Sequence, residues 1–166
     1  MMKRRICSVT GIGMLVLMFL AGCAGSKERK VSETEIPTPV LRAFKQAHPS
    51  ADVHEYAEEV EQGKKLYEIS FTENGKKMDV LWSADGNVVE LEESISTAQL
   101  PDGIVETLSK KYGDYKMEET ERLSKGDSVF YEVKIESQTS GEEKDYELLF
   151  SEDGRLIREA EESDED

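Results

Sequence analysis

Cysteine and histidine are scarce in this chain. Its 166 residues include two cysteines, Cys7 and Cys23, and two histidines, His48 and His54. If the segment that contains Cys7 is removed on export, the single remaining cysteine can form neither an internal disulfide nor a cysteine metal site. The histidines have no third metal ligand at a recognisable spacing. The sequence therefore predicts no metal site and no cofactor.

Catalytic motifs are missing as well. The chain has no Gly-x-Ser-x-Gly nucleophile elbow and no glycine-rich phosphate loop. Carboxylates are so abundant that a pair of them carries no information about acid–base chemistry. A solvated acidic surface explains them better than a catalytic couple does. We therefore predict that the protein is not an enzyme.

Basic residues are outnumbered by acidic ones. The chain has 21 Lys and Arg against 36 Asp and Glu, with a net charge of −15 at pH 7. Lys3, Arg4 and Arg5 contribute +3 of that charge, so the chain from Cys23 onward carries −18. Such a surface repels phosphate groups, which excludes nucleic acid as a partner and keeps the domain away from anionic lipid.

Long hydrophobic runs are absent beyond the N-terminus. The apolar core "MLVLMFL", Met14 to Leu20, follows the basic residues and ends on the small residues "AGC". These three parts form a secretory signal, and we assign residues 1–22 to it. The apolar run is shorter than the roughly 20 residues that span a bilayer.

The end of the signal, "LAGC" from Leu20 to Cys23, resembles the bacterial lipobox. This resemblance implies that Cys23 carries the lipid and becomes the first residue after cleavage, so the protein would contact the membrane through its anchor only. An ordinary cleavage that leaves a free thiol is the alternative. By the sorting rule of Gram-negative lipoproteins, Ala24 after the cysteine implies the outer membrane, with the domain facing the periplasm.

One stretch of the chain occurs twice. "SADGNVVELEE" from Ser83 returns as "SEDGRLIREAEE" from Ser151. With a shift of 64 positions, residues 36–71 align with residues 100–135 without a gap, and after a longer second hairpin the shift becomes 68. A duplicated supersecondary unit predicts such agreement. The predicted segments are a signal at 1–22, a flexible tether at 23–35, a first unit at 36–97, a second unit at 98–162 and an acidic tail at 163–166.

Each unit begins with helical spacing and continues with period-two alternation. Apolar residues recur three and four positions apart after Pro37 and Pro101, and strands of alternating pattern follow. Asp85-Gly86 and Asp153-Gly154 mark the tight turn before each last strand, a better interpretation than a calcium loop. The predicted fold class is α+β, with two tandem repeats, each one helix packed on an antiparallel four-stranded meander.

The order of helix and meander, its repetition, the Asp-Gly turn and the lipobox together resemble the PepSY-like family, which is similar to the beta-lactamase inhibitor protein. The resemblance covers residue 36 to about residue 162. It implies an exported binding or inhibitory domain without catalysis. The inhibitor protein is stapled by cysteines, which this chain lacks, so inhibition of beta-lactamase is not carried over to any residue here.

Four apolar residues of the predicted strands point to the face of the sheet opposite the helix. Tyr67, Ile69 and Phe71 share a predicted inner face with Met78, Val80 and Trp82, which leaves an outer set. That outer set is Leu66, Leu81, Phe130 and Leu149. Packing between the units is one explanation, and a partner-binding surface is the other.

These features together predict a membrane-anchored periplasmic lipoprotein whose function is to bind an exported protein or peptide without catalysis. Inhibition would be one form of that binding. The alternative is an envelope domain that senses a small ligand or a cation.

Overall fold

The computed structural model describes residues 27–61, 63–139 and 142–162. This part of the chain forms nine β-strands, two α-helices and two short 3-10 turns at Glu33–Glu35 and Thr97–Gln99. The helices are α1 (Thr38–Ala47) and α2 (Asp102–Tyr112). The strands are β1 (Lys27–Lys30), β2 (Asp52–Glu61), β3 (Lys64–Glu73), β4 (Lys76–Ser83), β5 (Val88–Ser94), β6 (Tyr115–Lys125), β7 (Ser128–Thr139), β8 (Glu142–Ser151) and β9 (Leu156–Glu162).

All nine strands belong to one antiparallel sheet, in the order of the sequence. The predicted fold of two tandem repeats, each a helix on its own four-stranded meander, is therefore wrong. Strand β5 pairs with β6 through residues Leu91–Ser94 and Glu121–Ser124, so the meander continues across the predicted boundary at residue 97. The physical reason is the exposed backbone at the edge of a meander, whose N–H and C=O groups are satisfied by the next strand.

Part of the segment predicted to be a flexible tether is ordered. Lys27–Lys30 forms β1 and pairs with Ala57–Val60 of β2. A 3-10 turn follows, in which the Ser32 backbone N–H donates to the Glu35 carboxylate in a capping box. The polar composition of this segment concealed its structure, because backbone pairing needs no apolar side chain.

Both helices pack on the same face of the sheet. Val40 and Phe44 of α1 are buried against inner-face side chains of β3 and β4, among them Phe71 and Trp82. Ile104 of α2 packs in the same way against β7 and β8. The predicted inner-face parity is confirmed, since its residues form these two cores. The buried core residues of β3, β4, β7 and β8 are Tyr67, Ile69, Phe71, Val80, Trp82, Val133, Ile135, Leu148 and Phe150.

The repeated Asp-Gly turns attach the sheet to the helices. Gly86 and Gly154 have φ angles of 87° and 84°, in the region that favours glycine. A Cβ atom on Gly86 would lie 2.8 Å from the backbone oxygen of Pro39, and one on Gly154 would lie 2.6 Å from the carbonyl carbon of Gly103. Each turn therefore fits closely against the first turn of its helix, which explains why the motif occurs twice.

Within the described part of the chain, neither helix has the length and apolarity that a membrane span requires.

Candidate functional site on the helix-free face

The two faces of the sheet differ in what covers them. Both helices lie on one face, and no helix of the described residues packs on the other, which we call the helix-free face. The strand register places all four outer-set residues there: Leu81 lies opposite Glu68 and Glu90, Phe130 opposite Leu123, and Leu149 opposite Glu132. Leu66, opposite Glu59, completes the set.

These apolar side chains are less exposed than an open sheet face predicts. Leu66, Leu81 and Leu149 are only 6–7% exposed, while Phe130 is half-buried. Leu123 of β6, which the sequence analysis missed, is 1% exposed on the same face. No helix of the described residues covers them, and the register places a glutamate directly opposite each of Leu66, Leu81 and Leu149. Phe130 is the most accessible of the four predicted residues.

The side chains beside these apolar residues are mostly acidic. Glu90 and Glu92 of β5 are 2% and 3% exposed, although they point away from the helices. Sequence reasoning assigned such residues to a solvated surface. The alternation of Val89 and Leu91 with the two glutamates does predict their face, but burial on that face depends on neighbouring strands. The acids of the helix-free face with raised pKa values are Glu59, Glu68, Asp79, Glu92, Glu121 and Glu132.

Burial is the main cause of these shifts. It raises the pKa of Glu92 to about 11, with added repulsion from Glu90 and Glu121. Burial also raises the pKa of Glu68 and of Glu132 to about 8, and that of Glu121 to about 7. At neutral pH, therefore, Glu92 is protonated and most of Glu68 and Glu132 is too.

The register itself brings like charges together. Glu121 of β6 lies directly opposite Glu132 of β7, and Glu28 of β1 lies directly opposite Glu59 of β2. Carboxylates in such cross-strand positions destabilise a sheet when both are ionised. Proton uptake relieves this repulsion, so the face combines leucines with neutral acids.

Two cationic side chains lie among the acids of this face. The Lys125 Nζ atom lies 3.0 Å from an oxygen of Glu90 and 3.7 Å from one of Glu61. The Arg158 guanidinium lies 2.6 Å from Glu147 and 3.5 Å from Glu132. The described residues contain no group of three or more side chains able to hold a metal ion.

The histidines lie elsewhere and have structural partners. His48 is the C-cap residue of α1, and its Nδ1 atom lies 2.9 Å from the Glu73 carboxylate. Its ring also contacts those of Phe44 and Phe71. The Nε2 atom of His54 is 2.7 Å from the Thr72 hydroxyl. Cys23, the predicted lipid attachment site, lies outside the described residues.

The family of the chain follows from its sequence and agrees with this fold. A family model described as "Putative beta-lactamase-inhibitor-like, PepSY-like" matches residues 24–90 and 65–158. The chain belongs to this PepSY-like family. No curated protein sequence matches it.

Solved structures share the fold at low identity. One is described as a "putative periplasmic" protein from Bacteroides eggerthii, with 16% identity, a TM-score of 0.62, and coverage of 75% of this chain and 88% of that one. Another is a BLIP-like protein from Bacteroides fragilis, with 21% identity, a TM-score of 0.57, and coverage of 78% and 89%.

Proposed function

We propose that the protein is an exported, lipid-anchored and non-catalytic module that binds an exported protein or peptide through its helix-free face. The observation that carries this proposal is the composition of that face. Five apolar side chains and several carboxyl groups whose pKa values are raised by burial lie together where no helix of the described residues packs. Phe130 is the accessible apolar residue among them, and an apolar group left accessible on an uncovered face is a feature of interaction sites.

The arrangement suits recognition better than chemistry. Phe130 offers an accessible aromatic side chain, of the kind enriched in binding hot spots. Leu123 lies directly opposite it on β6, and Lys125 and Arg158 lie on the same face with acidic neighbours. A partner seated on Phe130 would meet these charges from the same direction. Inhibition of a partner's activity would be one consequence of such binding.

Two observations support the proposed location: the lipobox at the end of the signal, and the description of a protein with the same fold. The lipobox cysteine Cys23 would hold the protein on the outer membrane, with the domain in the periplasm, as Ala24 implies. The description of the fold relative from B. eggerthii as periplasmic supports an envelope location.

Site-specific photo-crosslinking tests the binding face. A photoreactive phenylalanine analogue at Phe130 should give crosslinks to a partner in intact cells. The same analogue at Val105, an exposed position on α2, is the matched control and should give none. Crosslinks at Val105 without crosslinks at Phe130 would contradict the proposed face.

A further inference from the structure

Strand β1 repeats, at the start of the chain, a pairing that occurs in the middle of the sheet. Its register on β2 runs from Lys27 opposite Val60 to Lys30 opposite Ala57. Adding 64 to each number gives the register of β5 on β6, from Leu91 opposite Ser124 to Ser94 opposite Glu121. The next backbone bonds also correspond, since Val31 N–H donates to Tyr56 and Ile95 N–H donates to Thr120. Strand β1 thus occupies on β2 the place that β5 occupies on β6.

The two strands are held very differently. Leu91 packs against the core of α1, and β5 is paired on both sides, with β4 and β6. In contrast, Glu28, Arg29 and Lys30 of β1 are all exposed, and β1 is the first strand of the described sheet. Backbone pairing of four residues therefore holds β1, and its nearest apolar anchor is Val31, which follows the strand and packs, partly buried, against the core of α1.

Ion pairs attract β1 to β2, and their cations are exposed. Arg29 lies 3.7 Å from Glu58 and 3.1 Å from Glu35, and the Lys30 ammonium pairs with Glu55. The side chains of Arg29 and Lys30 are 57% and 61% exposed, so solvent screens these pairs from the side of the cation, although Glu58 and Glu55 are only 16% and 22% exposed. The edge of β2 is thus complementary to a basic strand and holds its present occupant weakly.

One residue of β1 opposes its own pairing. Glu28 faces Glu59 directly, and like charges in that arrangement are unfavourable. After burial, the charge of Glu28 is the next cause that raises the pKa of Glu59. A strand with lysine in place of Glu28 would meet Glu59 with the opposite charge and would pair better than β1 does.

We propose that β1 is an exchangeable strand and that the edge of β2 beneath it binds an extended, basic segment of a partner protein. The segment adds antiparallel to Ala57–Val60, as β1 does, with cationic side chains facing Glu58 and Glu59 and an apolar residue in the place of Val31. Adding a strand to a sheet edge is a general mode of peptide recognition, in which backbone bonds give affinity and side chains give specificity.

A second copy of the chain fits this edge poorly. The shift of 64 takes β1 to Leu91–Ser94 of β5, and the shift of 68 takes those residues to Glu159–Glu162, at the end of β9 on the other edge of the sheet. It has three glutamates among four residues and would repel the acidic β2. The edge therefore favours a basic partner over self-assembly.

Two full-length variants alter the hold of β1 without touching the core. Arg29→Glu combined with Lys30→Glu loosens it, because the ion pairs of these residues with Glu58 and Glu55 of β2 become repulsive. Glu28→Lys tightens it, because the introduced ammonium group would face Glu59. Hydrogen exchange at Ala57–Val60 should be fastest in the loosened variant and slowest in the tightened one. The corresponding residues Glu121–Ser124 of β6 are the internal control and should not change.

A fluorescent peptide with the sequence of residues 26–32, "SKERKVS", then probes the edge. Its apparent affinity should be about tenfold higher for the loosened variant than for wild type, because binding is reduced by the fraction of chains in which β1 is in place. It should be lowest for Glu28→Lys. A peptide with lysine at the position of Glu28 should bind more tightly than the native sequence, and one with glutamates for its basic residues should not bind.

Three results would overturn the proposal. Hydrogen exchange that is unchanged in the loosened variant would show that β1 is a permanent strand. Exposed Ala57–Val60 amides without peptide binding would show that the edge is not an acceptor. Equal peptide affinity for all three proteins would place the peptide elsewhere. Phe130→Ala should leave peptide binding unchanged, which separates this test from that of the helix-free face.

Discussion

The glycine of each Asp-Gly turn is required by the helix that lies against it as well as by its own backbone. Gly154 combines a φ of 84° with an approach to Gly103 that leaves no room for a methyl group. Gly126, in the turn between β6 and β7, also has a positive φ, of 58°, but nothing lies within 4 Å of the position of its Cβ. An alanine at Gly126 would meet backbone strain alone, whereas an alanine at Gly154 would meet both backbone strain and steric overlap.

Gly154→Ala should therefore destabilise the protein more than Gly126→Ala. Backbone strain alone costs about 1–2 kcal/mol in the left-handed region, which is the loss expected at Gly126. At Gly154 the clash forces the turn away from α2, and we expect a further loss of about 1–3 kcal/mol. Urea unfolding at fixed pH measures both. Equal losses would show that α2 moves aside without cost.

Trp82 and Phe150 occupy corresponding positions, at a shift of 68, and both are central to their cores. Trp82 is 2% exposed and Phe150 is fully buried. Truncation of either residue to alanine should lower the free energy of unfolding by about 3–5 kcal/mol. Val88→Ala, at a position that is 54% exposed, is the control and should change it by less than about 0.5 kcal/mol. A loss well below 1 kcal/mol at both aromatic positions would contradict the core.

At the scale of elements, the pairing of β5 with β6 joins the two halves of the sheet through a short ladder of four residue pairs. Glu92 lies on this ladder, opposite Leu123 and Asp79. The charged groups around it include Glu90 on its own strand, Glu121 and Lys125 on β6, and Glu132 on β7. Most of these groups are acids, so the stability of this strand pairing depends on pH.

The protein should become less stable as pH rises from 5 to 9. A carboxyl group whose folded pKa is raised binds its proton more tightly in the folded state, so stability is lost as pH rises from the ordinary value of about 4.5 through the folded pKa. For Glu121, Glu68 and Glu132 that range ends at about 7 to 8, and for Glu92 at about 11. Thermal melts across this range measure the loss.

A single substitution tests the contribution of Glu92. Glu92→Gln cannot ionise and should reduce the fall in melting temperature between pH 5 and pH 9. Glu106→Gln is the control, because Glu106 is on the exposed surface of α2 and its pKa is lowered by Lys110. It should leave the pH dependence of wild type unchanged. An identical slope for the Glu92 variant would show that Glu92 stays ionised in the folded protein.

Period-two alternation predicted the inner faces of β3, β4, β7 and β8 because apolar side chains there must be covered by a helix. The same pattern did not predict the pairing of β5 with β6. That pairing is made by backbone N–H and C=O groups, which every strand has whatever its side chains. The alternation did not predict β1 either, because Glu28, Arg29 and Lys30 are exposed and leave no apolar period. The parity of Leu66, Leu81, Phe130 and Leu149 was predictable, but their burial was not, because it depends on acids of neighbouring strands.

At the scale of the whole molecule, the presence of β1 within the predicted tether shortens the connection between the proposed anchor and the domain. A tether from Cys23 to residue 35 would reach about 40 Å when extended. Because the sheet already begins at Lys27, four residues after Cys23, the start of β1 can lie no more than about 14 Å from the lipid-modified cysteine. The anchor would therefore keep the start of β1 close to the bilayer, and displacement of β1 would lengthen the connection.

The anchor itself is tested by the two cysteines of the chain. Cys23→Ser should move the protein from the membrane fraction to the soluble periplasmic fraction, because two or more acyl chains hold a lipoprotein stably whereas the acidic domain has no attraction to lipid of its own. Cys7→Ser is the matched control, since Cys7 lies within the signal at residues 1–22 and should leave the protein in the membrane pellet. Fractionation of cells that express each form, followed by a high-salt wash of the membranes, distinguishes them. A Cys23→Ser protein that stays in the washed pellet would contradict the lipid anchor, because the wash removes proteins held by charge alone.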